Sequence, residues 1–273
     1  MIELHCHTTA SDGSLGPEEL VARAASIGLT HLAITDHDTT GAWAPACQAA
    51  QGTGIEMIPG IEISCYAAAR EVHVLGYFFN PDDASLQTLL AGMRQGRVSR
   101  MQEMVGRLAE LGLEVSYGEV ADRSKGSSIG RPHLAEAMVE KGWVKNIDEA
   151  FERYLRPGKP AYVARQSLSP AEAIQALHQA GGLCVLAHPV LLRDNTLVAR
   201  LLDEGFDGVE VWHPSHGSRE VKRYRRLARN RGLLTTGGSD FHRPDCSSRP
   251  GLGQVKVDPA VVESMRARSR RFA

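Results

Sequence analysis

The sequence predicts an α/β fold closed into a barrel, on three observations. Strand-like apolar runs alternate with helical patterns through most of the 273 residues, the order expected of parallel β/α units. At least six strands occur in that order, which favours a barrel over a small doubly wound sheet. Histidine or an acid follows nearly every strand, and in β/α barrels the reactive residues gather at the carboxyl ends of the strands.

The first strand runs through Ile2-Glu3-Leu4-His5-Cys6-His7, where a period of two puts His5 and His7 on one face and Cys6 on the other. Gly16-Pro17-Glu18-Glu19 opens a helix with proline at its first position and acids in its first turn, and Gly28 ends it. A strand over 31–35, a short helix over 43–51 and strands over 56–61 and 72–77 follow. One long helical pattern then occupies 84–111, with shorter ones over 117–122, 132–141 and 147–155. This stretch reads as a helical insertion, and it divides the chain into 1–83, 84–157 and 158–273. Alternation resumes at Ser169-Pro170-Ala171-Glu172, a capping box whose helix closes at Gly181-Gly182. A strand over 183–187, a helix over 197–204, a strand over 208–212, a helix over 219–231, a strand over 233–236 and a last helix from Pro259 complete the chain.

Composition sets the class. With 42% hydrophobic residues a sizeable core is available. A net charge of -1, from 31 basic and 32 acidic residues, gives no global affinity for nucleic acid or membrane. An anionic substrate must therefore be held by local positive charge. Cysteines 6, 47, 65, 184 and 246 form no CxxC pair and are odd in number, which argues for reduced thiols and a cytoplasmic protein. No basic and apolar leader opens the chain, and no apolar run approaches the roughly 20 residues that span a bilayer.

Nine side chains stand out as metal ligands: His5, His7, Asp12, His37, Glu62, His73, His188, Asp240 and His242. His5 and His7 end the first strand, His37 follows the second, Glu62 the third, and His73 opens or lies within the fourth. His188 follows 183–187, while Asp240 and His242 follow 233–236. Singly, Asp36-His37-Asp38 and Gly237-Gly238-Ser239-Asp240 suit turns, and His31, His133 and His178 suit surface or hydrogen-bonded positions. Glu62 stands between Ile61 and Ile63, and an ionised carboxylate beside apolar strand residues needs a partner. Nitrogen and carboxylate donors without thiolate suit Mn2+, Zn2+ or Fe2+ better than Ca2+.

His5-x-His7, Asp12-Gly13, Thr35-Asp36-His37-Asp38, Pro59-Gly60-Ile61-Glu62, His73, Ala187-His188-Pro189 and Ser239-Asp240-x-His242 resemble the motif set of the PHP (polymerase and histidinol phosphatase) family. That resemblance implies a distorted (β/α)7 barrel with two or three metal ions at its rim, Mn2+ foremost. It implies one metal on His5, His7, Glu62 and Asp240, and a second on the bridging Glu62, His73 and His188. Asp12, His37 and His242 would hold a third or face the substrate; several trinuclear relatives carry histidine where this chain has Asp12. Gly130-Arg131-Pro132-His133, the helical insertion and Trp212-His213-Pro214-Ser215-His216 resemble the stand-alone bacterial subgroup acting on nucleotides and short RNA.

Pro132 suits the first helical position, so the helix start beside Arg131 offers N–H groups, a dipole and a guanidinium to phosphate. Arg94, Arg97, Arg100 and Arg107 on the long helix read as a wetted face. If that helix closes over the barrel mouth, Ser99, Arg100, Met101 and Gln102 would contact phosphate or base, and His216 also reaches the rim. Two metals bridged by Glu62 would lower the pKa of a shared water, the expected nucleophile. Asp240 would orient it, Arg131 would neutralise developing charge, and His242 or His37 with Asp12 would protonate the leaving alkoxide. The expected reaction is removal of the 3′-phosphate from a 3′,5′-bisphosphonucleotide. A 5′-3′ exoribonuclease on short RNA, a histidinol-phosphate phosphatase and a non-catalytic metal-stabilised module are the alternatives. No stable protein partner is expected.

Overall fold

The structure is a computed structural model that describes residues 1–68, 70–124, 128–164, 168–244 and 251–269. Three short parallel strands, β1 (Ile2–Glu3), β2 (His31–Leu32) and β3 (Glu56–Met57), form one sheet, joined by helices α1 (Pro17–Ser26) and α2 (Trp43–Ala50). A second sheet has the order β4 (Gly60–Ala67), β5 (Arg70–Tyr77), β6 (Leu183–Leu186), β7 (Gly208–Trp212) and β8 (Leu234–Gly237). Parallel bridges between His37 and Glu62 and between Cys6 and Phe241 link the two sheets at both ends.

The expectation of uniformly parallel units fails in the middle of the chain. β4 and β5 form an antiparallel hairpin, and β5 also runs antiparallel to β6. Only β6, β7 and β8 continue in parallel. Glu62 therefore does not follow a strand; it lies within β4, opposite Leu75.

Between β5 and β6 the chain forms α3 (Ala84–Glu110), α4 (Tyr117–Arg123), α5 (Arg131–Glu140) and α6 (Ile147–Ala150), which continues into a π-helical turn, Phe151–Leu155. The distal half of α3 and these shorter helices enclose their own buried set, including Met101, Met104, Leu108, Val120, Leu134, Met138 and Leu155. The later elements are α7 (Pro170–Gln179), α8 (Asn195–Leu201), α9 (Ser218–Arg231) and α10 (Ala260–Ser269). The Ser169-Glu172 capping box forms as the sequence predicts, and Asp83 caps α3 by accepting from Leu86 N at 2.8 Å.

One buried cluster draws on successive strands: Ile2 and Leu4, Ala33, Ile58, Leu75 and Tyr77, then Leu183 and Val185. Each of its isoleucine, leucine and valine side chains contributes about 1.5–3 kcal/mol by leaving water. The Tyr77 hydroxyl donates to Leu4 O at 2.7 Å, tying β5 to the end of β1 across this cluster. Among the described residues Cys6, Cys47, Cys65 and Cys184 are in no disulfide; Cys246 lies outside the described residues. Among the described residues no helix is long and apolar enough to cross a membrane.

Candidate metal centre

The period of two after β1 works as the sequence requires. Cys6 is buried and its thiol donates to Ala33 O, while His5 and His7 turn to the opposite side. There His5 Nε2 and His7 Nε2 lie 3.5 and 3.3 Å from Glu62 Oε2, and at the same two distances from Asp240 Oδ1. His37 Nδ1 reaches Glu62 Oε2 at 3.2 Å. On the other oxygen, Glu62 Oε1, converge His73 Nδ1 at 2.7 Å and His188 Nε2 at 3.0 Å. Asp12 sits 3.3 Å from His242 Nε2 and 3.9 Å from both His7 and His37. All nine expected ligands thus meet in one place.

Their donor atoms form four groups close enough to share an ion: His7, Asp12, His37 and His242; His5, Glu62 and His188; His5, His7 and Asp240; His37, Glu62 and His73. His5 Nε2, His7 Nε2 and His37 Nδ1 are buried without a hydrogen-bond partner. Orphaned ring nitrogens aimed at carboxylates are costly unless a cation takes their lone pairs. The donor set fits divalent metal.

Without metal the electrostatics are skewed. Burial alone would raise the Glu62 carboxyl, but the surrounding histidines hold it well below the usual carboxylate range. Burial disfavours the charged form of His7, yet Asp240 and Glu62 raise it to about 10. Burial, assisted by His7 and His73, drives His37 down to about 3.

Buried acids behind the cluster hold it in place, and sequence reasoning missed them as a group. Glu3 accepts from Ser239 N and Oγ, Gly253 N and His5 N, fixing the turn that presents Asp240. Asp36 accepts from Thr8 N, Thr8 Oγ and Ser11 Oγ, fixing the loop between His7 and Asp12. Glu210, within β7, meets His5 Nδ1 at 2.9 Å and accepts from His188 N at 2.7 Å. His213 Nε2 lies 3.4 Å from Asp240 Oδ2. His188 and Asp240 both hold left-handed backbone, with φ of 25° and 50°, the kind of strain that surrounding contacts must enforce. At Gly238 a Cβ would meet His5 N at 2.5 Å and His5 Cβ at 2.4 Å, so no side chain fits there.

A cavity of about 280 Å³ opens on the cluster and is lined by Arg97, Arg100 and Arg131. Arg131 begins α5, as expected, and its guanidinium pairs with Glu71 at 2.6 Å and lies 5.7 Å from the Phe151 ring centre. The long helix departs from its reading as a wetted face. Arg97 is buried, with Nε and Nη2 each 2.6 Å from Asp38 Oδ2, Nη2 donating to Ser64 Oγ and Nη1 to Ile129 O. Arg94 and Arg107 likewise donate inward, to Asp38 O and Tyr162 O.

Of the four expected contacts on that helix, Arg100 alone lines the cavity, held by Val163 O at 2.8 Å and the Tyr162 ring. Ser99 and Gln102 are exposed, and Ser99 donates to Gln95 O of its own helix. Met101 is buried in the helical core. A helix that packs on one face cannot present four consecutive residues to one ligand. His216 lines neither this cavity nor the larger neighbouring one; it is buried behind His213 and donates from Nδ1 to Val211 O at 2.9 Å.

Comparison with known proteins agrees with this geometry. Residues 3–97 match the PHP domain. A 3′,5′-nucleoside bisphosphate phosphatase of Chromobacterium violaceum is 36% identical over 266 residues, which cover 95% of this chain and 93% of that one. A 5′-3′ exoribonuclease of Escherichia coli is 35% identical over 249 residues, 89% of this chain and 85% of that one. A solved structure from Bifidobacterium adolescentis, named as a candidate metal-dependent phosphoesterase, is 32% identical with a TM-score of 0.89, over 98% of this chain and 96% of its own. Fold and site together define a metal-dependent hydrolase of phosphoric esters. The chain belongs to the PHP family.

Proposed function

We propose that the chain hydrolyses the 3′-phosphate of 3′,5′-bisphosphonucleotides, giving a nucleoside 5′-monophosphate and phosphate. The observation that carries this reading is Glu62, whose two oxygens face five imidazole nitrogens at the floor of an arginine-lined cavity. The identity to a phosphatase of that specificity over 95% of the chain supports it. Mn2+ is the proposed metal; His5, His7, Glu62, His73, His188 and Asp240 would hold it, and Asp12, His37 and His242 would supply further donors. Bound ions would polarise phosphoryl oxygens and lower the pKa of a coordinated water.

The chain's own residues supply orientation and charge. Asp240, fixed by His213 and the Gly238-Ser239 turn, orients the attacking water. Arg131 and Arg100 hold phosphate oxygens, and Glu71 keeps the Arg131 guanidinium aligned until substrate arrives. His242 hydrogen-bonds through Nδ1–H to Asp240 O at 2.8 Å, and where it holds no third ion its imidazolium form, with Nε2–H beside Asp12, passes that Nε2 proton to the leaving O3′ and becomes neutral. His37, which burial drives down to about 3, has no such proton to give, and its place is as a ligand. Water attacks phosphorus directly; a phospho-enzyme trapped during turnover would overturn this step.

We also propose that the two sheets close through their linking bridges into a distorted (β/α)7 barrel, with 84–157 as a helical insertion over its mouth. The strand-by-strand buried cluster and the separate core of the helical segment support both. The reduced state of Cys6, Cys47 and Cys184 supports a reducing compartment such as the cytoplasm.

A second reading, 5′-3′ exoribonuclease action on short RNA, is favoured by the larger cavity beside the cluster and by the Escherichia coli relative. Comparing kcat/KM for adenosine 3′,5′-bisphosphate, 5′-AMP, histidinol phosphate and a short RNA with metal-defined protein separates the readings. The bisphosphate should win; a wide margin for histidinol phosphate would sink the nucleotide assignment. No turnover of any ester at full metal occupancy would leave only the structural-module alternative.

A further inference from the structure

Helix α9 carries seven arginines and lysines against one acid, Glu220, in a chain whose net charge is -1. Four of them, Lys222, Arg225, Arg226 and Arg229, follow the i, i+3, i+4, i+7 spacing of a single helical stripe. Like charges at these spacings repel and destabilise a helix. Among the described residues no carboxylate pairs with any of the four; the ion pair this helix makes is Arg231 with Asp203 at 2.9 Å, off that stripe.

The stripe borders a cavity of about 570 Å³ whose floor is Trp212, Leu233 and Thr235. Tyr224 and Ala228 of α9 are buried in one cluster with Val209 and Val211 of β7. Thr235 stands beside Val209 in the ladder, yet Thr235 and Leu233 are only half-buried, because the cover given by the helix stops short of β8. The cations therefore rim a partly apolar floor. None of the residues lining this groove lines either cavity at the metal cluster, so it is a separate surface.

We propose that this groove is a second, non-catalytic site that binds a nucleoside di- or triphosphate, with the base against Trp212 and the phosphates along α9. Charge complementarity selects the anion: four cations line the groove and no acid does. Guanidinium forks match phosphate oxygens two at a time, and an aromatic ring accepts the face of any base. The order of the parts also fits. α9 runs from the Trp212 end of β7 back to the start of β8, so the stripe leads away from Trp212 over about 10 Å. Those two helical turns serve the phosphates of one nucleotide and are too short to follow an extended strand. An acidic peptide would meet the cations but would leave Trp212 without a planar partner. The volume falls within the roughly 300–1,000 Å³ of ordinary small-ligand sites.

The test titrates the metal-loaded full chain with adenosine 5′-(β,γ-methylene)triphosphate, whose methylene bridge resists hydrolysis. It is run in about 0.15 M salt, where attraction between exposed charges beyond about 8 Å is screened. Calorimetry and tryptophan emission report binding, and the same titration in Arg131→Ala protein sets the catalytic cavity aside. One equivalent should still bind there and quench emission, and adding Trp212→Phe should abolish the quenching. Changing Lys222, Arg225, Arg226 and Arg229 together to alanine should weaken this binding at least about tenfold. Bound metal per chain should stay at the wild-type level, which shows that the variant is folded; the milder pair Arg225→Ala and Arg229→Ala should show a smaller loss in the same direction. Adenosine and tripolyphosphate, each lacking one half of the ligand, should both bind more weakly than the nucleotide. No binding in this salt, binding untouched by the folded variants, or tripolyphosphate as tight as the nucleotide would overturn the proposal. So would a short RNA or an acidic peptide that binds the stripe where the nucleotide does not.

Discussion

Glu210 Oε1 lies 2.9 Å from His5 Nδ1, and this contact decides which face of the imidazole meets the metal cluster. A carboxylate only accepts, so Nδ1 carries the proton and Nε2 turns toward Glu62 and Asp240. The other Glu210 oxygen holds the backbone at His188, so one buried acid aligns ligands from two distant segments.

Replacing Glu210 by glutamine should therefore lower metal affinity by about 10–100-fold, the usual cost of losing such an outer partner. Titration with metal-buffered Mn2+ measures it. Wild-type affinity in the variant would show that His5 is aligned by packing alone.

Metal uptake should expel protons. In metal-free protein His7 is raised to about 10 and His5 also lies well above its ordinary value, both through neighbouring carboxylates that outweigh burial. Both are therefore protonated at neutral pH and must lose those protons to bind metal, so apparent affinity rises with pH and levels off near 10. Calorimetry in buffers of different ionisation enthalpy should show heats that scale with the buffer; identical heats would contradict it.

Arg97→Ala should cost about 3–5 kcal/mol, since it removes the guanidinium that both Nε and Nη2 bring to 2.6 Å from the buried Asp38 carboxylate. Because Arg97 also holds Ile129 O, two residues before Arg131, kcat/KM should fall as well. Denaturant midpoints and steady-state rates report the two effects separately. An unaltered midpoint would mean that Asp38 finds another partner.

Gly238→Ala should misplace His5 and Glu3 together, because the added methyl has no space beside either. We expect reduced metal content in purified protein, read by elemental analysis, along with a lower melting temperature. Full metal content would show that the turn shifts without disturbing the ligands.

The ligand series was legible because strand periodicity and strand ends constrain where side chains point. The hairpin was not. Its turn, just past Ala67, lacks the glycine or asparagine that usually announces one, although Ala68 holds a φ of 48°. Glu62 consequently read as a strand terminus when the strand continues to Ala67. Glu210 was within reach of the reasoning applied to Glu62, since it too is an acid between apolar strand residues, Val209 and Val211. Arg97 was not, because nothing local distinguishes a helical arginine facing Asp38 from one facing water. Ser99, Met101 and Gln102 followed from laying a whole segment of the helix over the barrel mouth, without regard to which face it presents, and the geometry separates them from Arg100.

The two bridges between the sheets, Cys6 to Phe241 and His37 to Glu62, each consist of or adjoin proposed metal ligands. His5, His7, Asp240 and His242 flank one; His37 and Glu62 are the other. Each joint is a single bridge rather than a full ladder, so these are the weakest seams of the scaffold. An ion that gathers ligands from both sides would act there as a rivet, making chelation a mechanical event as well as a chemical one. Amides at the seams should then exchange faster with solvent when metal is removed, while those of the β4–β5 hairpin stay protected.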